Sequence, residues 1–522
     1  MDRPALTARR STVALLGAVT LVLVALALPA SASAIPRVAC ENRTNNTYAK
    51  LLECVTLDGV RSHQEAFQAI ADDNEDPSYP GTRAAGTAGY QGSVDYVAGL
   101  LEDAGYEVTL DEFEFEFEFP ALLEQLTPVA ATYPSGSFTG AGFGEVTGAV
   151  IPVDINLVPP RASTSGCEAA DFAALDFAGA SDIALIQRGT CSFAMKALNA
   201  VAAGAEAVVI FNQGNTSARE GLIVGTLAPD SVAIPVVGAS FANGVALAQP
   251  GSTAHIETVA PETRTDVNVL AELAGVNTGN VVMAGAHLDS VGDGPGINDN
   301  GSGSAAILET ALMMSKLKPQ NTIRFAWWGA EESGLIGSTA YVEGLSQAEQ
   351  DRIALYLNYD MVGSPNFVQM VYDADESTFE APVPVPPGSI ALEDLYESYY
   401  TLVGEPYDDA EFSARSDYQA FIEAGIPSGG LFTGAEGIKS PAQVAIWGGT
   451  AGAQFDPCYH LLCDTVGNFN GHALGVNSDL IAFAQLTFAY STESVNGVPG
   501  ARVPGPPLVL PVPAGPEGTF GP

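Results

Sequence analysis

Short apolar segments alternate with helix-like segments over the C-terminal half of the chain, and this alternation restricts the fold most. The segments "NVVMAGAHL", "NTIRFAWWGA" and "IALYLNYDMV" each have the length and composition of one buried strand, and "SAAILETALMMSKL" lies between the first two. This order predicts an α/β domain over residues 261–495, with a mixed, largely parallel central sheet flanked by helices.

Each of these three strands ends near a side chain that can bind a metal or move a proton. His287 ends the first strand, Glu331 and Glu332 follow the second, and Asp360 follows the third. Sites in open α/β sheets form at the carboxyl ends of the strands, so we expect these side chains to converge. Asp299 adds another carboxylate at a glycine-rich helix start, "NDNGSGSAAILE".

His460, in "CYHLLCD", brings a second histidine to this set. Two histidines and three or four carboxylates form a nitrogen and oxygen ligand set that suits zinc, and two cations would offset the repulsion between the carboxylates. Each motif alone has an ordinary explanation, because "HLD" can be a surface pair and "EE" a solvated face. Their joint placement at three strand ends favours a metal site.

The first 34 residues have the order of a secretory signal peptide, with arginines, an apolar run over 13–28 and small residues before Ala34. The alternative, a membrane anchor, needs about 20 apolar residues. We therefore expect cleavage after Ala34, secretion, and no membrane attachment of the mature form. Residues 35–128 are assigned to the N-terminal part of the main domain, with a helix over 86–106 and an alternating strand over 106–119.

Residues 129–260 form a predicted inserted domain. The stretch "IALIQRGTCSFAMKALNAVAAGAEAVVIFNQ" (183–213) predicts a strand, a turn, an alanine-rich helix and a strand. This segment resembles the protease-associated (PA) domain, a small β-rich module inserted into several exported peptidases. The Pro- and Gly-rich tail, residues 496–522, is predicted to be disordered.

Six cysteines fall into three local couples. In an exported protein we expect disulfides rather than a cysteine metal site. About fifteen pairings can be drawn from six cysteines, and we expect the sequential one: Cys40–Cys54, Cys167–Cys191 and Cys458–Cys463.

The formal net charge is −41, from 61 acidic and 20 basic residues. Such a surface repels nucleic acids and anionic membranes, and we exclude a nucleic-acid function. It weakly favours cationic ligands, including the free amino terminus of a peptide.

The strings "AHLDS…GPGINDNGSG", "WWGAEESGLIGS", "LNYDMVG" and "CYH" resemble the secreted bacterial zinc aminopeptidases, the aminopeptidase Y/bacterial leucyl aminopeptidase family. The resemblance covers about 45–130 and 260–490 and implies the zinc exopeptidase fold with two zinc ions per chain. It implies that Asp299 bridges both ions. The ligands are His287 and Asp360 for one ion, and Glu332 and His460 for the other.

The resemblance also implies roles for residues near the ions. Glu331 would be the general base and acid, and Tyr459 would stabilise the oxyanion. Asp289 would hydrogen-bond His287 and fix its tautomer. Arg415 resembles a residue near the amino terminus of the substrate, with a surface salt bridge as an equally good alternative.

The family often has a cis peptide bond after the bridging aspartate, here between Asp299 and Asn300. No motif supports a calcium site, and the sequence leaves that question open.

Together these features predict a secreted, monomeric metallo-aminopeptidase that removes an N-terminal residue, large and apolar such as Leu, from peptides or proteins. A carboxypeptidase or dipeptidase on the same scaffold is the alternative, but it would need clustered Arg or Lys for the substrate carboxylate, and Arg415 is the one obvious candidate. A non-catalytic ectodomain would lack several of the ligands or the base, and all of them are present in this sequence.

Overall fold

The computed structural model describes residues 36–520, which form fifteen strands and fourteen α-helices. The strands are β1 (Glu107–Phe117), β2 (Leu122–Thr127), β3 (Ala131–Tyr133), β4 (Gly144–Val153), β5 (Asp182–Gln187), β6 (Ala207–Phe211), β7 (Val236–Ala239), β8 (Thr253–Thr258), β9 (Glu262–Leu273), β10 (Asn277–His287), β11 (Asn321–Trp328), β12 (Ile353–Tyr359), β13 (Met370–Tyr372), β14 (Asp408–Ala410) and β15 (Ser428–Phe432).

The helices are α1 (Arg37–Glu41), α2 (Tyr48–Leu52), α3 (Leu57–Asp73), α4 (Ala88–Ala104), α5 (Phe193–Ala203), α6 (Phe241–Leu247), α7 (Gly301–Met314), α8 (Ile336–Gly344), α9 (Gln347–Gln350), α10 (Ile390–Val403), α11 (Tyr418–Glu423), α12 (Pro441–Trp447), α13 (Gly471–Tyr490) and α14 (Glu493–Asn496).

Eight strands form the main sheet, in the order β1-β9-β11-β10-β12-β15-β13-β14. Its centre is parallel, because β10 pairs in parallel with both β11 and β12, and β12 pairs in parallel with β15. The pairs β1·β9, β9·β11 and β13·β15 are antiparallel. The sheet is therefore mixed, with the parallel centre that the sequence predicted.

Helices cover both faces of this sheet. In β10, Val282 and Ala284 pack into the core that contains α3, α4, α7, α10 and α13, whereas Val281 and Met283 face the core that contains α8 and α11. All residues of α7 are buried. Burial on both faces explains why the central strands are continuously apolar rather than alternating.

The N-terminal elements also follow the predicted patterns. Helix α4 begins after Thr87, whose side chain accepts the N–H of Tyr90, and ends at Gly105, which has a left-handed φ of 96°. Strand β1 buries Phe113 and its phenylalanine neighbours at alternate positions and exposes the acidic residues between them. The sheet edge is therefore half exposed.

A second sheet lies between β1 and β9 in the sequence, with the order β3-β2-β8-β4-β5-β6-β7. Its strand–helix–strand segment β5–α5–β6 corresponds to the pattern predicted over 183–213. The first strand of this sheet, β2, begins at Leu122, a few residues before the predicted start of the insert at 129. Its cores are separate from those of the main sheet.

The C-terminal tail differs from the predicted disorder over its described part, up to residue 520. The N–H groups of Gly518 and Thr519 donate to the carboxylate of Asp408, which is fully buried. Phe520 packs against the core that contains α8 and α11. Composition predicted the lack of helix and strand, but it could not show that a buried carboxylate elsewhere in the chain takes its hydrogen bonds from the tail.

Three disulfides join the sequential cysteine pairs Cys40–Cys54, Cys167–Cys191 and Cys458–Cys463. Within residues 36–520, no helix combines the length and the hydrophobicity needed to cross a bilayer. The predicted signal peptide lies outside the described residues.

Candidate metal centre

Three adjacent strand ends supply most of the candidate site. His287 is the last residue of β10, Glu331 and Glu332 lie in the turn after β11, and Asp360 follows β12. Since β11 and β12 flank β10 in parallel register, these side chains emerge at one edge of the sheet. The structure therefore brings together the residues that the sequence analysis selected at the ends of these three strands.

Asp299 reaches the same edge from the loop that precedes α7. The neighbouring Asn300 caps this helix by accepting the N–H of Gly303. The carboxylate of Asp464 accepts the N–H groups of Asn298 and Asp299, at 2.8 and 3.0 Å. The Asp299–Asn300 peptide bond is cis, as the resemblance implied.

His460 comes from the loop closed by the Cys458–Cys463 disulfide. Its φ is 56°, in the left-handed region that costs a non-glycine residue about 1 kcal/mol or more. The ring of Tyr459 stacks on that of His460, with 3.8 Å between the centroids. The short disulfide loop and the stacking both restrict where the imidazole can lie.

The two oxygens of Asp299 face two different histidines. Oδ1 is 3.2 Å from Nε2 of His287, and Oδ2 is 3.2 Å from Nε2 of His460. Each histidine has a second carboxylate nearby, with Asp360 Oδ1 at 3.5 Å from His287 Nε2 and Glu332 Oε2 at 3.0 Å from His460 Nε2. The result is two triads of potential ligands that share Asp299.

These residues fit a pair of cations. In each triad the ligand atoms lie within 4.8 Å of one another, as they do in a third grouping of His287, Glu331 and Glu332. Oε1 of Glu332 and Oδ1 of Asp360 are buried and accept no hydrogen bond. Buried carboxylate oxygens without partners are costly unless a cation binds them. Imidazole nitrogens with carboxylate oxygens are the donor set of many zinc sites.

The charges in the site affect one another strongly. Burial alone would lower the pKa of His287, but the carboxylates of Glu331 and Asp360 raise it well above its usual value. Burial raises the pKa of Glu332 to about 7, with Asp299 adding to the effect. Without metal, the histidines therefore keep protons that offset part of the negative charge, and a bound cation would replace them.

Asp289 contacts more than the histidine that the sequence assigned to it. Its Oδ1 lies 3.5 Å from Nδ1 of His287, and its backbone oxygen lies 3.2 Å from the same nitrogen. Its two carboxylate oxygens also accept the N–H groups of Glu331 and Glu332, at 3.2 and 3.3 Å. One buried carboxylate thus fixes the position of the turn that carries both glutamates.

Tyr459 and Arg415 lie together at the mouth of the site. The Arg415 Nη2 donates to the hydroxyl oxygen of Tyr459 at 3.0 Å, and Nη1 donates to Glu436 at 2.7 Å. The side chain of Arg415 is 58% exposed. Arg415 therefore forms the surface salt bridge that was one alternative, and it also contacts Tyr459, while a role near the amino terminus of the substrate stays a prediction.

Sequence analysis missed three buried residues that lie in or beside the site. Asp464 holds the loop before α7, as described above, and the Ser416 hydroxyl donates to Oδ2 of Asp360 at 2.7 Å. Asp417 is buried, and neither of its oxygens has a hydrogen-bond partner. All three lie within four residues of His460 or Arg415, which the sequence analysis had selected. Sequence proximity was the available signal, but it does not show which side chains point inward.

A cavity of about 560 Å³ opens above these residues. Its floor contains His287, Asp299, Glu331, Glu332 and Asp360. Its walls are largely apolar and include Met370, Tyr372, Phe379, Phe432, Phe455 and Phe520. A ligand in this cavity would meet both the potential metal ligands and apolar side chains.

Comparison with known proteins agrees with this geometry. Peptidase family M28 matches residues 268–485, and the PA domain matches residues 146–247. An aminopeptidase of Pseudomonas aeruginosa (strain UCBPP-PA14) is 48% identical over 457 residues, which cover 85% of this chain and 83% of that protein. A probable leucine aminopeptidase 2 of Aspergillus fumigatus is 44% identical over 352 residues, 65% of this chain and 68% of that protein.

Among solved structures, the zinc aminopeptidase BSAP from Bacillus subtilis has a TM-score of 0.59 and 25% identity, and it covers 84% of this chain and 97% of its own. The relative at 48% identity extends over most of both chains, and the family match contains every potential metal ligand. The chain therefore belongs to peptidase family M28.

Proposed function

We propose that two zinc ions bind at this site, with Asp299 as the shared ligand, His287 and Asp360 holding one ion, and Glu332 and His460 holding the other. That the chain is a zinc-dependent aminopeptidase follows from its family and from the relatives described above. The number of ions, the roles of single residues and the substrate preference are the proposal.

One observation carries the two-ion arrangement. Asp299 presents Oδ1 to one histidine and Oδ2 to the other, each at 3.2 Å. A carboxylate placed in this way can serve two cations at once. A single-ion site would leave one histidine and its neighbouring carboxylate without a function.

Glu331 is the residue that we assign as general base. It lines the cavity, and its Oε2 lies 3.9 Å from Nε2 of His287, but it belongs to neither of the triads that share Asp299. Its carboxylate can take a proton from the attacking water and pass it to the amine nitrogen as the peptide C–N bond breaks. Zinc, when bound, supplies the Lewis acid that polarises the carbonyl and acidifies water.

Tyr459 is placed to donate to the oxyanion. Its hydroxyl oxygen already accepts a hydrogen bond from Arg415, so the hydroxyl proton is available for the substrate. Arg415 therefore acts by positioning Tyr459.

The carboxylates of Glu331 and Asp360 would hold the free amino group of the peptide.

The cavity walls support an apolar first residue. The phenylalanine, tyrosine and methionine side chains described above form a surface that a large aliphatic side chain would bury. A leucine aminopeptidase name among the relatives points the same way. We propose that Leu and similar residues are preferred.

A carboxypeptidase or dipeptidase is the weaker alternative. It needs basic side chains to bind a substrate carboxylate. Arg415 is the one basic residue among the described residues that line the cavity, apart from the histidines, and Glu436 already pairs with it.

The test measures bound zinc and leucine-p-nitroanilide hydrolysis on the same preparations of wild type, Glu331→Ala and a control, Glu343→Ala. Glu343 is an exposed glutamate on α8. We expect about two zinc ions per chain in all three proteins, with activity lost in Glu331→Ala only. A wild-type protein with one zinc, or with none, contradicts the two-ion site. Full activity in Glu331→Ala contradicts the general-base role.

We also propose that the protein is secreted after removal of residues 1–34. Three disulfides and the order of charged, apolar and small residues at the N-terminus support this. N-terminal sequencing of protein from the culture medium should begin at Ile35. Protein that keeps residues 1–34 would contradict the cleavage.

A further inference from the structure

A second cluster of carboxylates lies next to the cavity, and one of its members, Asp409, lines the cavity itself. Asp373 and Asp375 follow β13, Glu393 and Glu397 lie one turn apart on α10, and Asp409 is in β14. We call these five residues the wall cluster. Four of them are at most 8% exposed, and Asp375 is exposed. None of them takes part in the chemistry proposed above.

Hydrogen bonds from nearby groups stabilise only some of the carboxylate oxygens in this cluster. Oε2 of Glu393 accepts the N–H groups of Ala374 and Asp375. Oδ2 of Asp409 accepts the Thr378 hydroxyl. Oδ1 of Asp409, however, is buried and has no hydrogen-bond partner among the residues that the structure describes. Asp409 is 1% exposed, so water does not readily solvate this oxygen.

Within residues 36–520, no basic side chain pairs with the cluster. Among the ion pairs of the described residues, none includes any of the five carboxylates. Burial, reinforced by the neighbouring carboxylates, raises the pKa of Glu393 to about 9 and that of Glu397 to about 7. The cluster is therefore either protonated or neutralised by a cation that the chain does not itself supply.

The spacing suits a single ion. One carboxylate oxygen from each of Glu393, Glu397 and Asp409 lies within 4.8 Å of the other two. Ligands at about 2.3–2.6 Å from a calcium ion are separated by at most about 5 Å. An oxygen-only, carboxylate-rich set favours a hard cation, and the absence of nitrogen and sulfur donors disfavours zinc.

We propose that Glu393, Glu397 and Asp409 bind a calcium ion, distinct from the catalytic metals. Oδ1 of Asp409 is the oxygen left free for it, because Oδ2 is already hydrogen-bonded. Magnesium is disfavoured because it needs near-ideal octahedral geometry and retains several waters, which a buried cluster cannot easily hold.

The ion would hold the cavity wall together. Asp409 and its neighbour Ala410 line the cavity, and so does Phe379 beyond the loop that carries Asp373. Strand β14 has three residues, and β13 is its one partner among the described strands. An ion that joins this short edge strand to α10 would therefore stabilise one side of the substrate cavity.

The test is calcium binding by the zinc-loaded full-length mature protein. Equilibrium dialysis with radioactive calcium, at constant free zinc, is made on wild type, Glu397→Gln, Asp409→Asn and a control, Glu102→Gln, an exposed glutamate on α4. We expect wild type and the control to bind one calcium per chain with a Kd between about 10⁻⁷ and 10⁻³ M, and to unfold at a higher temperature with calcium. Both cluster variants should bind at least about tenfold more weakly.

Wild-type protein that binds no calcium at about 10 mM CaCl2, well above this affinity range, overturns the proposal. Cluster variants that bind calcium as tightly as the control also overturn it. If neither variant folds, the wild-type protein is titrated with CaCl2 and, separately, with MgCl2. Saturable binding of one calcium with at least about tenfold preference over magnesium supports the site. Equal affinity for calcium and magnesium, or no calcium binding, overturns it. Zinc content, measured in parallel, separates this result from the catalytic centre.

Discussion

Asp289 shows how one buried carboxylate can organise several functional groups. It approaches Nδ1 of His287 and accepts the N–H groups of both Glu331 and Glu332. The ligand at the end of β10 and the turn after β11 are therefore fixed by the same side chain. Such supporting contacts hold ligands in position, and their loss typically lowers metal affinity or activity by about 10–100-fold.

The role of the Tyr459 hydroxyl can be tested by substitution. Tyr459→Phe removes the proposed oxyanion donor but keeps the ring that stacks on His460. We expect kcat for leucine-p-nitroanilide to fall by about 10²–10³-fold, with little change in KM or zinc content. Tyr133→Phe, in the second sheet, serves as the control for a lost tyrosine hydroxyl. Equal kcat values for the two variants would exclude the oxyanion role.

Asp266 lies in β9, and its carboxylate accepts the N–H of Gly86. Burial raises its pKa from 3.8 to about 6, against the opposing effect of the hydrogen bonds. A carboxyl whose pKa is raised on folding contributes stability that is complete below pH 3.8 and is lost as the pH rises through 6.

Asp266→Asn removes this titration. At about 1.4 kcal/mol per pKa unit, the free energy of unfolding of wild type relative to the variant should fall by about 2.5 kcal/mol between about pH 4 and pH 7. Urea unfolding of both proteins at several pH values measures the difference. A difference that stays constant with pH would show that the pKa is not raised.

Among the strands and helices, the functional residues at strand ends could be predicted from the sequence, but the pairing of strands far apart in the sequence could not. The apolar runs of β10, β11 and β12 each end at a functional residue, and the rule for parallel sheets brings those ends together. The pairing of β1 with β9 has no local signal, because their paired residues are more than 140 positions apart in the sequence. His460 lies in a loop rather than at a strand end, so the rule for parallel sheets does not predict its position. The resemblance to the zinc aminopeptidases was needed to assign it as a ligand.

The disulfide Cys458–Cys463 should affect activity more than stability. It closes a short loop that carries Tyr459 and His460. By loop-closure entropy it contributes about 2 kcal/mol, against about 3 kcal/mol for Cys40–Cys54, which closes a longer loop far from the site. We expect Cys458→Ala/Cys463→Ala to lose bound zinc and at least about tenfold in kcat, because the His460 ligand is no longer held.

Cys40→Ala/Cys54→Ala is the matched control. Its midpoint of thermal unfolding should fall, while zinc content and kcat stay at wild-type values. Equal zinc content and equal kcat in both double variants would show that the short disulfide does not position His460.

At the scale of the whole molecule, composition predicted two structural units but not the course of the tail. The change to short apolar runs after about residue 130 marked the second sheet, because local strand and helix patterns survive in the sequence. The tail has no such pattern. Its partners are a buried carboxylate and a core far away in the sequence, and contacts of that kind leave no local signal.

The net charge of −41 gives a prediction for the whole molecule. Like charges repel across the folded surface, and salt screens them with a Debye length of about 30 Å at 0.01 M and about 10 Å at 0.1 M. We expect the midpoint of thermal unfolding to rise by about 2 °C or more between low and moderate concentrations of NaCl. Calorimetry with NaCl and with choline chloride should give equal rises. A midpoint that is unchanged or lower in both salts would contradict the screening argument.

Strands β1 and β9 pair along their whole length, and Phe117 and Glu262 are register partners at the end of that ladder. The chain therefore leaves the second sheet beside the point where it entered it. In evolutionary terms the PA domain occupies the place of a hairpin turn. A gene segment gained or lost at this point changes the protein by an entire domain and leaves the strand registers, and with them the ligand positions, as they were.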